Sequence, residues 1–83
     1  MKVRKQPLGA RNMIGARVTC RRQELGMLQV ELQARLAEQG IVLSTSALSL
    51  LEGQKRLVSD VELIALARVL RMSVTELLGL SRF

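Results

Sequence analysis

The apolar positions along the chain recur at helical spacing, and short polar or glycine breaks cut that spacing into five segments. A first helix is predicted from about Asn12 to Leu25, with Ile14, Val18 and Leu25 on one face and Met13 and Cys20 near its edge. Gly26 follows as a stop. A second helix is predicted from Leu28 to Gln39, where Leu28, Leu32 and Leu36 repeat at four-residue intervals and Gly40 ends the run. Ile41-Val42-Leu43 is a short apolar link. The hydroxyls of Ser44-Thr45-Ser46 can accept from free helix N–H groups, so a third helix starts there, carries Ala47, Leu48 and Leu51, and stops at Gly53. A loop from Gln54 to Val58 brings in Lys55 and Arg56. Ser59-Asp60-Val61-Glu62 and Ser73-Val74-Thr75-Glu76 both have the capping-box form, a hydroxyl followed three residues later by a glutamate. They open a fourth helix to about Arg71, with Leu63, Leu66, Ala67 and Leu70 inward and Ile64 beside them, and a fifth to Gly79, with Val74, Leu77 and Leu78 inward. No segment alternates as a strand would. Five short helices on short links can bury their stripes only around a common centre. The expected fold class is therefore all-α, a compact five-helix globule.

Composition narrows this picture. Eighty-three residues allow one domain with a modest core, and 48% hydrophobic content excludes a disordered chain. Residues 1–11, punctuated by Pro7 and Gly9, read as a flexible basic arm, and residues 12–83 as the domain. Phe83 is the only aromatic residue, so the core must be aliphatic. The net charge of +6 is unevenly placed: Lys2, Arg4, Lys5, Arg11, Arg17, Arg21 and Arg22 occur before the first acid, and the remainder is close to neutral. A one-sided basic excess favours a polyanionic partner.

Several classes of function lose support. No run approaches the ~18 apolar residues of a membrane span. No apolar stretch follows the basic N-terminus, so no secretory leader is expected. Cys20, the single cysteine, cannot form an internal disulfide and reads as a small core residue. A reduced, cytoplasmic setting fits. Histidine is absent, which removes the commonest general base and the usual zinc ligand. Asp60 and Glu62 read as capping groups at a helix start, where acids complement the dipole. With no phosphate-binding glycine loop and no nucleophile elbow, the chain reads as a non-enzyme, without metal, cofactor or small-molecule ligand.

Three stretches carry a resemblance: Ile14-Gly15-Ala16-Arg17-Val18, Gly26-Met27-Leu28-Gln29-Val30-Glu31-Leu32, and Leu48-Ser49-Leu50-Leu51-Glu52-Gly53-Gln54-Lys55-Arg56. With the following Asp60–Leu70 and Ser73–Leu78 segments, their order and spacing resemble the Cro/C1-type (XRE-family) helix-turn-helix domain over about residues 12–79. The resemblance implies a lambda-repressor-like globule that binds double-stranded DNA as a transcriptional regulator, with the third helix in the major groove. It implies that Thr45, Ser46, Ser49 and Leu50 face base edges. It further implies that Arg17, Arg22, Gln29, Ser44, Lys55 and Arg56 meet phosphate, as basic side chains and helix N-termini do. Any homodimer is expected to use the helix 4–5 end, around Leu77 to Phe83, or to form on DNA only.

The chain also departs from the family pattern. Leu28 stands where a capping Ser or Thr is usual, and Gln33 where a small Ala lets the two helices approach. The connection from Leu36 to Ser44 is longer than the commonest form, so the second helix is expected to extend. The third helix offers no Arg, Lys, Asn or Gln for bidentate base contacts, which implies modest direct readout, with phosphate contacts and DNA shape contributing more. An alternative of another class follows: a protein-interaction adaptor that kept the fold and reads DNA weakly. For a DNA binder, Arg17, Arg22, Lys55 and Arg56 should lie on the side of the third helix; for an adaptor, Leu50 should sit inside a larger apolar patch.

Overall fold

A computed structural model describes residues 11–80 as five helices: α1 (Gly15–Glu24), α2 (Gln29–Glu38), α3 (Thr45–Glu52), α4 (Asp60–Leu70) and α5 (Val74–Leu78). No strand occurs among the described residues. The expected arm, apart from Arg11, lies outside them, as do residues 81–83 of the expected dimerisation end. The protein is all-α, as its periodicity predicts. α3 packs against α1 and α2, while α4 lies against α1, α2 and α5. At the centre, Val18, Leu32, Leu36, Leu48, Leu51, Leu66, Leu70 and Leu77 are fully buried. Every helix contributes, as short helices must when tertiary packing supplies their stability.

The helix ends follow local chemistry. Ser44, Ser59 and Ser73 each accept a hydrogen bond from the backbone N–H three residues on, and Glu62 and Glu76 close complete capping boxes. Leu28 has no oxygen to offer, so α2 keeps half a box: Glu31 Oε1 accepts from the Leu28 N–H at 3.0 Å. The first helix starts three residues later than its apolar pattern suggests. Asn12 Oδ1 accepts from the N–H groups of Ile14 (3.1 Å) and Gly15 (2.9 Å), a side-chain turn that replaces helical backbone bonding. Gly53 ends α3 as expected, yet its own φ is −82°; Gln54 takes the left-handed conformation at φ 63°. α2 ends at Glu38 rather than Gln39, and residues 39–44 form the connection to α3.

Two expected core residues are not core. Leu28 is 65% exposed because it precedes α2 in extended backbone (ψ 159°), off the face shared by Leu32 and Leu36. Leu25 is partly exposed at the end of α1, where it lines a surface recess with Arg35, Val69 and Arg71; Met27, two residues on, packs on the core instead. Ile64 also faces outward. Cys20 is half-buried on α1.

Candidate nucleic-acid interface

The site is built from beneath α3. Glu52, in its last turn, is buried. Its Oε2 accepts from Arg22 Nε at 2.8 Å. Its Oε1 accepts from Arg22 Nη2 (3.1 Å), Thr19 Oγ1 (3.1 Å) and Gln29 Nε2 (3.2 Å). Arg22 Nη1 also donates to the Met27 carbonyl at 2.9 Å. A buried carboxylate is tolerated only when paired and hydrogen-bonded, and the guanidinium fork supplies both. No buried side-chain nitrogen or oxygen among the described residues lacks a partner. Three helices therefore meet at one carboxylate.

Sequence spacing explains the convergence. Gly15, Thr19 and Arg22 fall on one side of α1, since residues three and four apart share a helix face. Gly15 permits close approach: a Cβ there would lie 2.7 Å from the Glu52 carbonyl oxygen and also collide with that of Leu51. Asn12 fastens the same junction, donating from Nδ2 to the carbonyls of Leu51 (3.1 Å) and Arg56 (2.9 Å).

A second polar seam joins α2 to α3. Gln29 and Gln33 lie four residues apart on α2. Gln33 Nε2 donates to the Leu43 carbonyl at 2.8 Å, and Gln33 Oε1 accepts from Thr45 Oγ1 at 3.4 Å. Gln29 Oε1 accepts from Ser49 Oγ at 3.4 Å. Gln33 thereby clamps the connection to α2.

The outer face of α3 is different. Thr45, Ser46, Ser49 and Leu50 are all exposed, and the helix carries no exposed charge. The structure brings these four together on one surface, with the Ser44 cap at its edge, Gln29 behind Ser49 and exposed Lys55 just beyond the last turn. It does not gather the other expected phosphate residues there. Arg22 is held inside by Glu52. Arg56 pairs with Glu62 of α4, with both guanidinium contacts at 3.3 Å. Arg17 projects from the opposite side of α1 to Gly15 and Thr19, and its guanidinium lies over Gly79 at the end of α5. The requirement that Arg17, Arg22, Lys55 and Arg56 share the α3 side is thus met by Lys55 alone as an exposed cation.

The sequence reading missed Glu52 as an organising residue. A signal was present: Glu52 lies one turn after Leu48 and next to Leu51, on the apolar side of its helix, and an acid at such a position needs a basic partner.

Other surfaces are apolar. An open cleft of about 340 Å³ lies between α2 and the connection, lined by Val30, Gln33, Ala34, Ala37, Val42 and Leu43; Leu50 is not part of it. Among the described residues, no cluster of three or more metal-ligating side chains occurs, and no helix is long and apolar enough to cross a membrane. Glu76 has its carboxyl held below the usual range, chiefly by the Ser73 backbone N–H, then by the Ser73 hydroxyl, with a smaller contribution from Arg21. Comparison with protein-family models, with curated proteins and with solved structures finds no match.

Proposed function

We propose that the protein is a small transcriptional regulator of the Cro/C1-type helix-turn-helix class, which binds double-stranded DNA by setting α3 in the major groove. The observation that carries this reading is the two-sidedness of α3. Its inner side is anchored by Glu52 and the core leucines, while Thr45, Ser46, Ser49 and Leu50 stand exposed and unblocked by acidic side chains on the same helix. An α-helix presented on a rigid support suits the width of the major groove. Thr45 and Ser49 use their protons on Gln33 and Gln29, which leaves their oxygens to accept from base amino groups such as adenine N6 or cytosine N4. Ser46 carries a hydroxyl free to serve either way, and Leu50 suits a thymine methyl. Lys55 and the N-terminus of α2 at Gln29 serve as phosphate contacts. With so few exposed cations beside α3, backbone attraction is modest, and DNA shape takes a larger share of specificity.

Selection of randomised duplex DNA on the purified protein, at near-physiological salt, tests this. Enrichment of a short motif is the expected result. Absence of enrichment, with only salt-sensitive binding or none, would overturn it. The adaptor reading would then lead, favoured by the apolar cleft at Val30, Ala34 and Val42, although Leu50 lies outside that cleft.

A further inference from the structure

A surface recess of about 170 Å³ draws on α1, α2 and α4 but not on α3. It is lined by Leu25 and Met27 just after α1, Arg35 of α2, Val69 of α4 and Arg71 at the α4 cap. The lining holds two bases and no acid. Arg35 has Glu31 four residues before it and Glu38 three after it, the spacings at which helical ion pairs form. It pairs with neither, and Arg71 likewise forms no ion pair with another described residue. Two like charges gathered at one recess repel each other until an anion joins them. Residues 35 and 71 meet only because α2 packs on α4, so no sequence motif announces the pair.

Arg71 also strains the backbone. It takes the left-handed conformation, with φ 57° and ψ 48°. That conformation disfavours every residue with a side chain, and the chain fills other such positions with Gly26, Gly40 and Gly79. Gln54, the other exception among the described residues, is buried and held by packing. Arg71 is exposed, so packing does not account for it. Strain of this kind gathers at binding sites. Helix C-termini ordinarily repel anions, but carbonyls here are already engaged. Arg21 Nε donates to the Leu70 carbonyl at 2.9 Å, and the Leu25 and Met27 N–H groups donate to the carbonyls of Arg21 (3.0 Å) and Arg22 (2.9 Å).

We propose that this recess binds a small phosphate dianion, either the free ion or the head of a phosphate monoester, held by Arg35 and Arg71. Two guanidinium groups at one small volume suit a compact double charge, and each fork can take two of its oxygens. Leu25, Met27 and Val69 offer apolar contact to the carbon part of a monoester. The recess is smaller than the ~300 Å³ at which pockets for drug-sized ligands begin, so the ligand is small.

Titration of isotope-labelled protein with inorganic phosphate, from ~0.1 to ~20 mM at constant ionic strength and without DNA, tests the site through backbone amide shifts. Saturable shifts are expected at Gly26, Met27, Arg71 and Met72, with a dissociation constant on the order of 1 mM. Arg35→Gln and Arg71→Gly, each shown to be folded by circular dichroism, are expected to weaken binding by about tenfold or more, the loss of a charge-assisted hydrogen bond. Arg71→Gly is also expected to melt no lower than wild type, because glycine relieves the left-handed strain, so its lost binding is not lost fold. A parallel titration with ethyl phosphate separates the two sources: tighter binding than inorganic phosphate points to a monoester, equal binding to the free ion. Absence of saturable shifts in the wild type would overturn the proposal. So would wild-type affinity in both variants, or the same amides shifting on addition of duplex DNA, which would assign the arginines to its backbone. The phosphate titration is made without DNA, so its failure leaves the reading of α3 untouched.

Discussion

The two sides of α3 are a comparison within one helix of 8 residues. On the inner side, Glu52 collects donors from Thr19, Arg22 and Gln29, and Leu48 and Leu51 have no exposed surface. On the outer side, four small or apolar residues face solvent, and Thr45 and Ser49 give their hydroxyl protons to glutamines of α2. A helix this short has little stability of its own. Its orientation is set from within, by a carboxylate that must be paired because it is buried. The outer residues are consequently not needed to hold the helix in place; on the proposed function they are the ones that read DNA. Stability and binding should then separate cleanly by face.

The largest effect is expected from breaking the inner side. Glu52→Ala leaves the Arg22 guanidinium in a half-buried position without its acid, and should lower unfolding free energy by about 3–5 kcal/mol in urea titration. A loss under about 1 kcal/mol would mean that the pair does not hold α3 in place. Gly15→Ala should cost about 2–3 kcal/mol, because its Cβ meets backbone carbonyls that cannot rotate aside. An unchanged melting temperature for that variant would show that α1 can slide along α3 without penalty.

The outer side should respond in the opposite way. Thr45→Ala combined with Ser46→Ala should leave stability within about 0.5 kcal/mol. It should weaken binding to a selected site by roughly fivefold to tenfold, the equivalent of about 1 kcal/mol. Equal loss on selected and random DNA would move these hydroxyls from base reading to backbone contact. Lys55→Ala should reduce affinity for every sequence alike and lower the salt-dependence slope by about one unit. Pairing it with Arg56→Ala is less informative, since Arg56 already serves Glu62.

The smallest effect concerns a region remote from α3. Glu76 has a depressed folded pKa, so its contribution to the α5 cap is present above the unfolded carboxylate pKa and is lost as pH falls through the folded value. Wild-type protein should lose some thermal stability on acidification through that window, and Glu76→Gln should lose less over the same window. Identical acid responses in the two proteins would place the acid sensitivity elsewhere.

The helix boundaries and most of the core were legible because they are local. Serine caps, glycine stops and leucine spacing act within one or two turns, and Ser44, Ser59 and Ser73 behave as their neighbours dictate. Leu28 and Leu25 were misplaced because periodicity does not say where helical backbone begins and ends. Thr45, Ser46, Ser49 and Leu50 were expected on the outer face of α3 through the family resemblance, and all four are exposed.

Charge was where sequence reasoning ran short. The run of bases from Lys2 to Arg22 reads as one basic region, yet Arg17, Arg21 and Arg22 disperse to α5, to the Leu70 carbonyl and to Glu52. The sequence by itself determined five helices, the serine-capped starts of three of them and an aliphatic centre, because hydrogen-bond capping and apolar burial depend on neighbours within a few residues. Only the tertiary structure decided which cations stay free. An ion pair between residues 22 and 52 depends on where whole helices lie, and a long side chain follows whatever acid the packing brings within reach.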